Sequence, residues 1–167
     1  MNYIKITKND IANGPGVRCV LWVAGCTQRC RGCQNPSTWD FNAGKLFDDY
    51  AKQELFDALD KPYIQGLTIS GGHSLESANF DATINLVREV KQVFPTKDIW
   101  LYTGYLYEEL YYREISRILL YIDVLVDGPY VEEQRDIALT FRGSRNQRLI
   151  DVKETLKQGK IITLQND

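Results

Sequence analysis

Four times along the chain a strand-length apolar run ends in a glycine-bearing turn. Residues 17–24 run into Gly25-Cys26, 65–70 into Gly71-Gly72, 98–102 into Thr103-Gly104-Tyr105, and 122–126 into Asp127-Gly128-Pro129. Between these runs the apolar period changes to that of a helix. Ala51, Leu55, Phe56 and Leu59 share one face after a cap at Asp48 or Asp49, and Phe80, Ile84, Val87 and Val90 share another before Phe94-Pro95. Leu110, Ile115, Ile118 and Leu119 predict a third helix over residues 107–120. Strand and helix in alternation leave few architectures open, because a helix between two parallel strands must cross over the sheet face. The pattern predicts an α/β fold with a mostly parallel sheet and gathers the four turns at the carboxyl edge, where such folds keep their sites. Residues 130–147 show no period, and 148–152 and 160–164 read as two short extended pieces with a brief helix between them.

The first of the four turns carries the chemistry. Cys26-Thr27-Gln28-Arg29-Cys30-Arg31-Gly32-Cys33 sets three thiols in a C-x3-C-x2-C pattern on a polar loop leaving an apolar strand. A disulfide would strand the third thiol, whereas an iron–sulfur cluster or a zinc ion uses converging thiolates. A closed electron-transfer cluster takes four cysteines. Three would leave one iron open to an outside molecule and turn a redox centre into a binding centre. Cys19, the remaining cysteine, sits inside the strand and reads as a small buried hydrophobe rather than a fourth ligand. The rival is zinc held by the three cysteines and His73, the lone histidine, in a non-catalytic interaction module.

Composition narrows the surroundings of that loop. A length of 167 residues with 44% hydrophobic and 25% charged residues fits one ordered domain spanning 1–167. A formal charge of −2 gives no general attraction to nucleic acid or to an anionic membrane surface. No apolar run approaches the roughly 18 residues of a membrane span, and Met1-Asn2-Tyr3-Ile4-Lys5 lacks the design of a signal peptide. A cytoplasmic location is expected, and there clustered cysteines bind metal or do redox chemistry more often than they pair.

The loop resembles the cluster motif of the radical S-adenosyl-L-methionine (radical SAM) enzymes. The chain around it is similar to the activating proteins of anaerobic ribonucleoside-triphosphate reductases. The resemblance is carried in order by Asn13-Gly14-Pro15-Gly16-Val17-Arg18, Gly25-Cys26, Gly32-Cys33-Gln34-Asn35-Pro36-Ser37-Thr38-Trp39, Ser70-Gly71-Gly72, Tyr102-Thr103-Gly104-Tyr105, Asp127-Gly128-Pro129-Tyr130 and Phe141-Arg142-Gly143-Ser144-Arg145-Asn146-Gln147-Arg148. These stretches span residues 13–148. The cysteine triplet specifies only the superfamily, while the last segment and the short length point to the activases.

The resemblance implies an incomplete (β/α) barrel of radical SAM type. Cys26, Cys30 and Cys33 would hold a 4Fe-4S cluster and act in catalysis through it, with S-adenosyl-L-methionine chelating the open iron. Reductive cleavage would give methionine and a 5′-deoxyadenosyl radical, which takes a hydrogen from a backbone glycine of the reductase. Gly71 and Gly72 would admit the methionine amino group, and Gly32, Cys33 and Gln34 would lie against the adenosyl part. His73-Ser74 stand where the family has an acidic residue and proline, which leaves backbone carbonyls for the amine; Gln34 stands where an aromatic is common. Arg142, Arg145 and Arg148 would dock the reductase or hold the cofactor carboxylate, and the tyrosines around Tyr102–Tyr112 would suit a docking face. The implied partners are the large glycyl-radical subunit of the reductase and an electron donor such as a flavodoxin, with a homodimer also expected. An activase for another glycyl-radical enzyme, of formate-lyase type, is the alternative within the same chemistry.

Overall fold

The structure, a computed structural model, describes residues 1–111 and 114–164. In chain order the elements are β1 (Asn2–Asp10), β2 (Val17–Val23), β3 (Lys45–Leu46), α1 (Asp49–Leu59), β4 (Ile64–Gly71), α2 (Ser77–Val93), β5 (Asp98–Tyr102), α3 (Tyr107–Tyr111), β6 (Val124–Asp127), β7 (Arg148–Asp151) and α4 (Val152–Gln158). The strands form one sheet in the order β3-β1-β2-β4-β5-β6-β7.

The centre of the sheet follows the expected alternation. β2, β4, β5 and β6 run parallel, in a register that sets Cys19 beside Leu67, Leu67 beside Ile99 and Trp100 beside Val124. The edges correct the expectation. β1 and β3 on one side and β7 on the other are antiparallel to their neighbours, so the sheet is mixed. Strand β1 was hidden from the apolar pattern because, of its residues, only Tyr3 is buried. Its hold comes from the ladder to β2 and from contacts such as Lys5 over the Trp22 ring at 5.1 Å.

Helix α1 begins as its cap predicts, with the Asp48 side chain accepting from the Ala51 N–H. The helix expected over 107–120 does not form as one piece. α3 is followed by a 3-10 stretch at Glu114–Leu120, whose tighter winding buries both Ile118 and Leu119; residues 112 and 113 lie outside the described residues. The second extended piece near 160–164 reduces to a single bridge between Ile150 and Thr163.

Strand alternation divides the sheet into two chemically different faces. Leu21, Leu67, Ile69, Ile99, Leu101, Leu125 and Ile150 point into a core shared with Leu55 and Leu59 of α1 and Val87 and Val90 of α2. The other face carries Arg18, Thr68 and Trp100 at one end and Trp22, Ser70 and Tyr102 towards the carboxyl edge. Arg18 is fully buried there, donating to the Thr68 hydroxyl, the Leu67 carbonyl and the Asp98 carboxylate beneath the Trp100 ring. Among the described residues no helix is long and apolar enough to cross a membrane.

Asp123 ties the amino-terminal side of the sheet to its helices. It accepts from the Ile99 N–H at 2.7 Å and from Lys91 Nζ at 2.6 Å, and it pairs with Lys153 Nζ at 2.5 Å. Burial pushes this carboxyl up, but Lys153, Lys91 and the Ile99 amide outweigh burial and hold it below the usual aspartate range. A depressed folded-state value contributes stability above the unfolded value, and that contribution disappears as pH falls through the folded one. Asp123→Asn is therefore expected to cost about 2 kcal/mol in denaturant unfolding at pH 7. The gap to the parent protein should narrow below roughly pH 4.

Candidate active site

A cavity of 390 Å3 opens at the carboxyl edge of β2, β4, β5 and β6, on the sheet face that the helices leave uncovered. Its walls include Cys26, Ser70, Gly71, Gly72, Thr103, Gly104, Gly128 and Pro129, so the four predicted loops do share one mouth. Cys30, Cys33 and Gln34 line the same space, with Trp22 and Tyr102 rising from the strands.

The sequence shapes the cysteine loop by close backbone contacts. Val23 and Ala24 are buried at the end of β2, and Gly25 then turns with φ +94° where a Cβ would lie 2.2 Å from the Phe41 ring. The Gly25 and Cys26 amides donate to the Thr38 and Trp39 carbonyls at 2.7 and 3.1 Å. Cys33 N–H turns back to the Cys30 carbonyl at 3.1 Å, and Asn35 N–H donates to Cys33 Sγ at 3.3 Å. From the other side Gly72 comes so near that a Cβ would meet the carbonyl oxygens of Gly25 and Val23 at 2.7 and 3.0 Å. Only glycine allows the β4 loop to close against the cysteine loop at that distance.

Three thiol donors on one wall are the ligand chemistry of an iron–sulfur cluster, and the buried apolar end of β2 lies beside them. Burial pushes the Cys26 thiol above its usual range against backbone hydrogen bonds that lower it. Loading such a site must displace that proton. Among the described residues no three His, Cys, Asp or Glu side chains are gathered closely enough to hold a single metal ion. The three thiols of the loop line one cavity without being drawn together around one point.

The zinc alternative also loses its fourth ligand. His73 is 2% exposed, its Nδ1 lies 3.2 Å from Glu76 Oε1, and its Nε2 lies 2.7 Å from Thr103 Oγ1, so both ring nitrogens are occupied within the protein. Burial lowers the affinity of the ring for a proton, with Glu76 opposing, and the imidazole is neutral near pH 7. Cys19 stands apart from the loop. It is fully buried in the helical core, its thiol donates to the Lys8 carbonyl at 3.5 Å, and burial pushes its pKa up to about 11.

Of the residues expected to touch the cofactor, Cys33, Gln34, Gly71 and Gly72 line the cavity. Gly32 sits on the exposed shoulder of the loop, where a Cβ would meet the Glu132 carboxylate at 2.6 Å. Asn13 lines the rim, and its carbonyl accepts from the Thr68 hydroxyl at 2.8 Å. The segment from Phe141 to Arg148 does more bracing than expected. Gln147 accepts from the Gly143 and Ser144 amides and donates to the Gly128 carbonyl, Asn146 donates to the Pro129 carbonyl, and Arg145 pairs with Asp136. Arg148 is engaged by Asp127 and Glu108, and Arg142 lies on the cavity wall. Tyr107 is buried, Tyr112 lies outside the described residues, and Tyr102 lines the cavity with its hydroxyl donating to the Phe141 carbonyl at 2.7 Å.

Sequence reasoning missed Glu76, and it named Thr103 and Phe141 only within their stretches, with no role of their own. Glu76 is 8% exposed and lies beside the cysteine loop, so a carboxylate stands near the site although none follows the glycine pair directly. Its signal was the spacing His73-x-x-Glu76 just before the helix, where a turn closed by the Glu76 N–H on the His73 carbonyl at 3.2 Å brings the two side chains together.

Comparison with known proteins gives the same picture. The family described as "4Fe-4S single cluster domain" matches residues 12–150. A protein of Haemophilus influenzae named anaerobic ribonucleoside-triphosphate reductase-activating protein is 46% identical over 149 residues, covering 88% of this chain and 96% of its own length. Proteins of the same name from Enterobacteria phage T4 and Escherichia coli K12 are 48% and 41% identical, covering 93% and 96% of their own lengths. Matches of that extent run through every loop of the cavity, and the chain belongs to the family of anaerobic ribonucleoside-triphosphate reductase-activating proteins.

Proposed function

We propose that the chain is a radical SAM activase that reductively cleaves S-adenosyl-L-methionine and installs a glycyl radical on the anaerobic ribonucleoside-triphosphate reductase. The observation that carries this reading is the meeting of Cys26, Cys30 and Cys33 with the glycine-bearing ends of three further strands around one cavity. Cys26, Cys30 and Cys33 bind a 4Fe-4S cluster with one open iron. Bound there with S-adenosyl-L-methionine, the cluster supplies the electron that splits the sulfonium into methionine and a 5′-deoxyadenosyl radical, which takes hydrogen from the partner's glycine.

The chain's own groups bind and shield. Gly71 and Gly72 bring backbone close to the amino end of the cofactor, and Cys33 and Gln34 lie along its adenosyl part, the Gln34 amide offering hydrogen bonds in place of a stacking ring. Arg142 is the guanidinium placed to meet a carboxylate. Trp22, Tyr102 and the end of β2 exclude water from the inner wall. The four parallel strands with helices on one face support an incomplete (β/α) barrel, comprising a single radical SAM domain over 1–167. The open side is closed by the reductase's glycine loop, so cofactor cleavage without the reductase runs uncoupled. A cytoplasmic location, a flavodoxin-type electron donor and a homodimer complete the proposal. The relatives' shared name favours the reductase over a formate-lyase type of partner.

The test is anaerobic reconstitution, then dithionite reduction with S-adenosyl-L-methionine, reading iron and sulfide per chain and the 5′-deoxyadenosine formed. Four irons, deoxyadenosine and a glycyl radical signal in added reductase are the expected results. A colourless protein carrying one zinc overturns the reading and restores the interaction module.

A further inference from the structure

Glu76 occupies the N-cap position of α2 but makes no side-chain bond to its own helix. The aspartates at the N-caps of α1 and α4 accept from their own first turns, Asp48 from Ala51 and Asp151 from Glu154, whereas the longer Glu76 side chain is free of that role. Glu76 reaches instead across to the loop after β2. Its Oε1 accepts from the Thr27 N–H at 3.0 Å and from the Thr27 hydroxyl at 2.5 Å, next to Cys26 in sequence. The same oxygen lies 3.2 Å from His73 Nδ1.

The carboxylate beside His73 fixes the direction of the bonds. Glu76 Oε1 can only accept, which puts the imidazole proton on Nδ1 and leaves Nε2 to accept from the Thr103 hydroxyl, whose oxygen in turn accepts from the Tyr105 N–H at 3.1 Å. One buried line of bonds thus runs from the loop after β5, through His73 of the loop after β4, to Glu76 and the base of the cysteine loop. The Tyr105 ring, 4.4 Å from that of His73, closes the imidazole in edge-on.

We propose that Glu76, oriented by His73, is a positioning residue that clasps the cysteine loop at Thr27 and holds Cys26 at the cavity in register with Cys30 and Cys33. The proposal rests on reading these cysteines as cluster ligands. The opposite shoulder of the loop is tethered by exposed pairs of Arg31 with Glu132 at 2.9 Å and with Glu133 at 3.6 Å, whereas the Glu76 end of the clasp is buried, so the clasp is the less solvent-screened of these side-chain tethers. Glu76 touches no reacting atom; it acts through the loop.

Two measurements on the full chain test the clasp, with Glu76→Ala, Glu76→Gln and Thr27→Val beside the parent protein. In anaerobically reconstituted protein, iron release to a chelator should be about tenfold faster or more in Glu76→Ala, the scale at which ligand-orienting partners act. It should be about threefold faster in Thr27→Val, which loses one of the two bonds. Glu76→Gln keeps an acceptor oxygen and should stay near the parent rate. In metal-free protein, trypsin reads the loop directly through Arg29 and Arg31; Glu76→Ala and Thr27→Val should be cut there faster in the same order, at unchanged melting temperature for Thr27→Val. Parent-like release and cleavage in both Thr27→Val and Glu76→Ala overturn the clasp, as does a Glu76→Gln variant as impaired as Glu76→Ala. If the parent protein holds no cluster, the reading of the cysteines falls, and the trypsin arm still decides whether Glu76 orders the loop.

Discussion

Replacing any one of Cys26, Cys30 and Cys33 by serine is expected to abolish 5′-deoxyadenosine formation and to leave the protein unable to retain four irons per chain. A closed cluster has four protein ligands and can survive distortion of one; three ligands leave no spare, because the fourth iron must stay open for the cofactor. The loss should exceed the 10- to 100-fold that outer partners of a metal site typically cost. Cys19→Ala supplies the contrast. Its side chain is fully buried among Leu67 and the helical core, on the face away from the cavity, so it should keep full iron content and lose only about 1 kcal/mol of stability. Iron and sulfide analysis on the four variants, purified and reconstituted without oxygen, checks both statements. Four irons retained in a Cys30→Ser variant, or lost in Cys19→Ala, would reassign the ligands.

The parts of this site that could be read from sequence are those where one local rule decides. Val17–Val23, Ile64–Gly71 and Asp98–Tyr102 are apolar enough to be central strands, and each is stopped by residues that cannot extend it. The cavity loops then follow from topology alone. β1 escaped notice because only Tyr3 of its residues is buried, and β7 was legible as the extended piece at 148–152 but its antiparallel pairing to β6 leaves no mark on a four-residue run. Residues 130–147 have no period because side-chain amides and guanidinia, not a repeating backbone pattern, hold them in place. Phe141 shows the same logic. It adopts φ +60°, rare for a bulky residue, because its carbonyl meets the Tyr102 hydroxyl and its ring packs edge-on to Trp100 at 5.5 Å. Glu76 was legible only in part, since a tight turn links it to His73 but nothing local announces Thr27 as its partner.

Asp127→Asn is expected to be the most damaging single change to stability outside the core, at about 3–5 kcal/mol. Asp127 is fully buried at the end of β6, where it accepts from the Tyr107 N–H at 2.9 Å and takes two bonds from the Arg148 guanidinium on β7. Those bonds, with Glu108 accepting from the same guanidinium, hold the Arg148 proton more tightly than usual. An asparagine keeps the shape but turns one carboxylate oxygen into a donor facing other donors, and it leaves the half-buried Arg148 with Glu108 as its remaining counter-charge. The damage reaches the cavity, because Asp127 is followed by Gly128 and Pro129, whose carbonyls are held by Gln147 and Asn146 of the same braced segment. A cycle of Asp127→Asn, Arg148→Met and the double variant in denaturant unfolding measures the pair directly. The double variant should be more stable than Asp127→Asn, since removing the guanidinium removes the donors that the asparagine faces. Purely additive losses would show that the two residues support the loop separately and that the charge pair is not what holds β7 against β6.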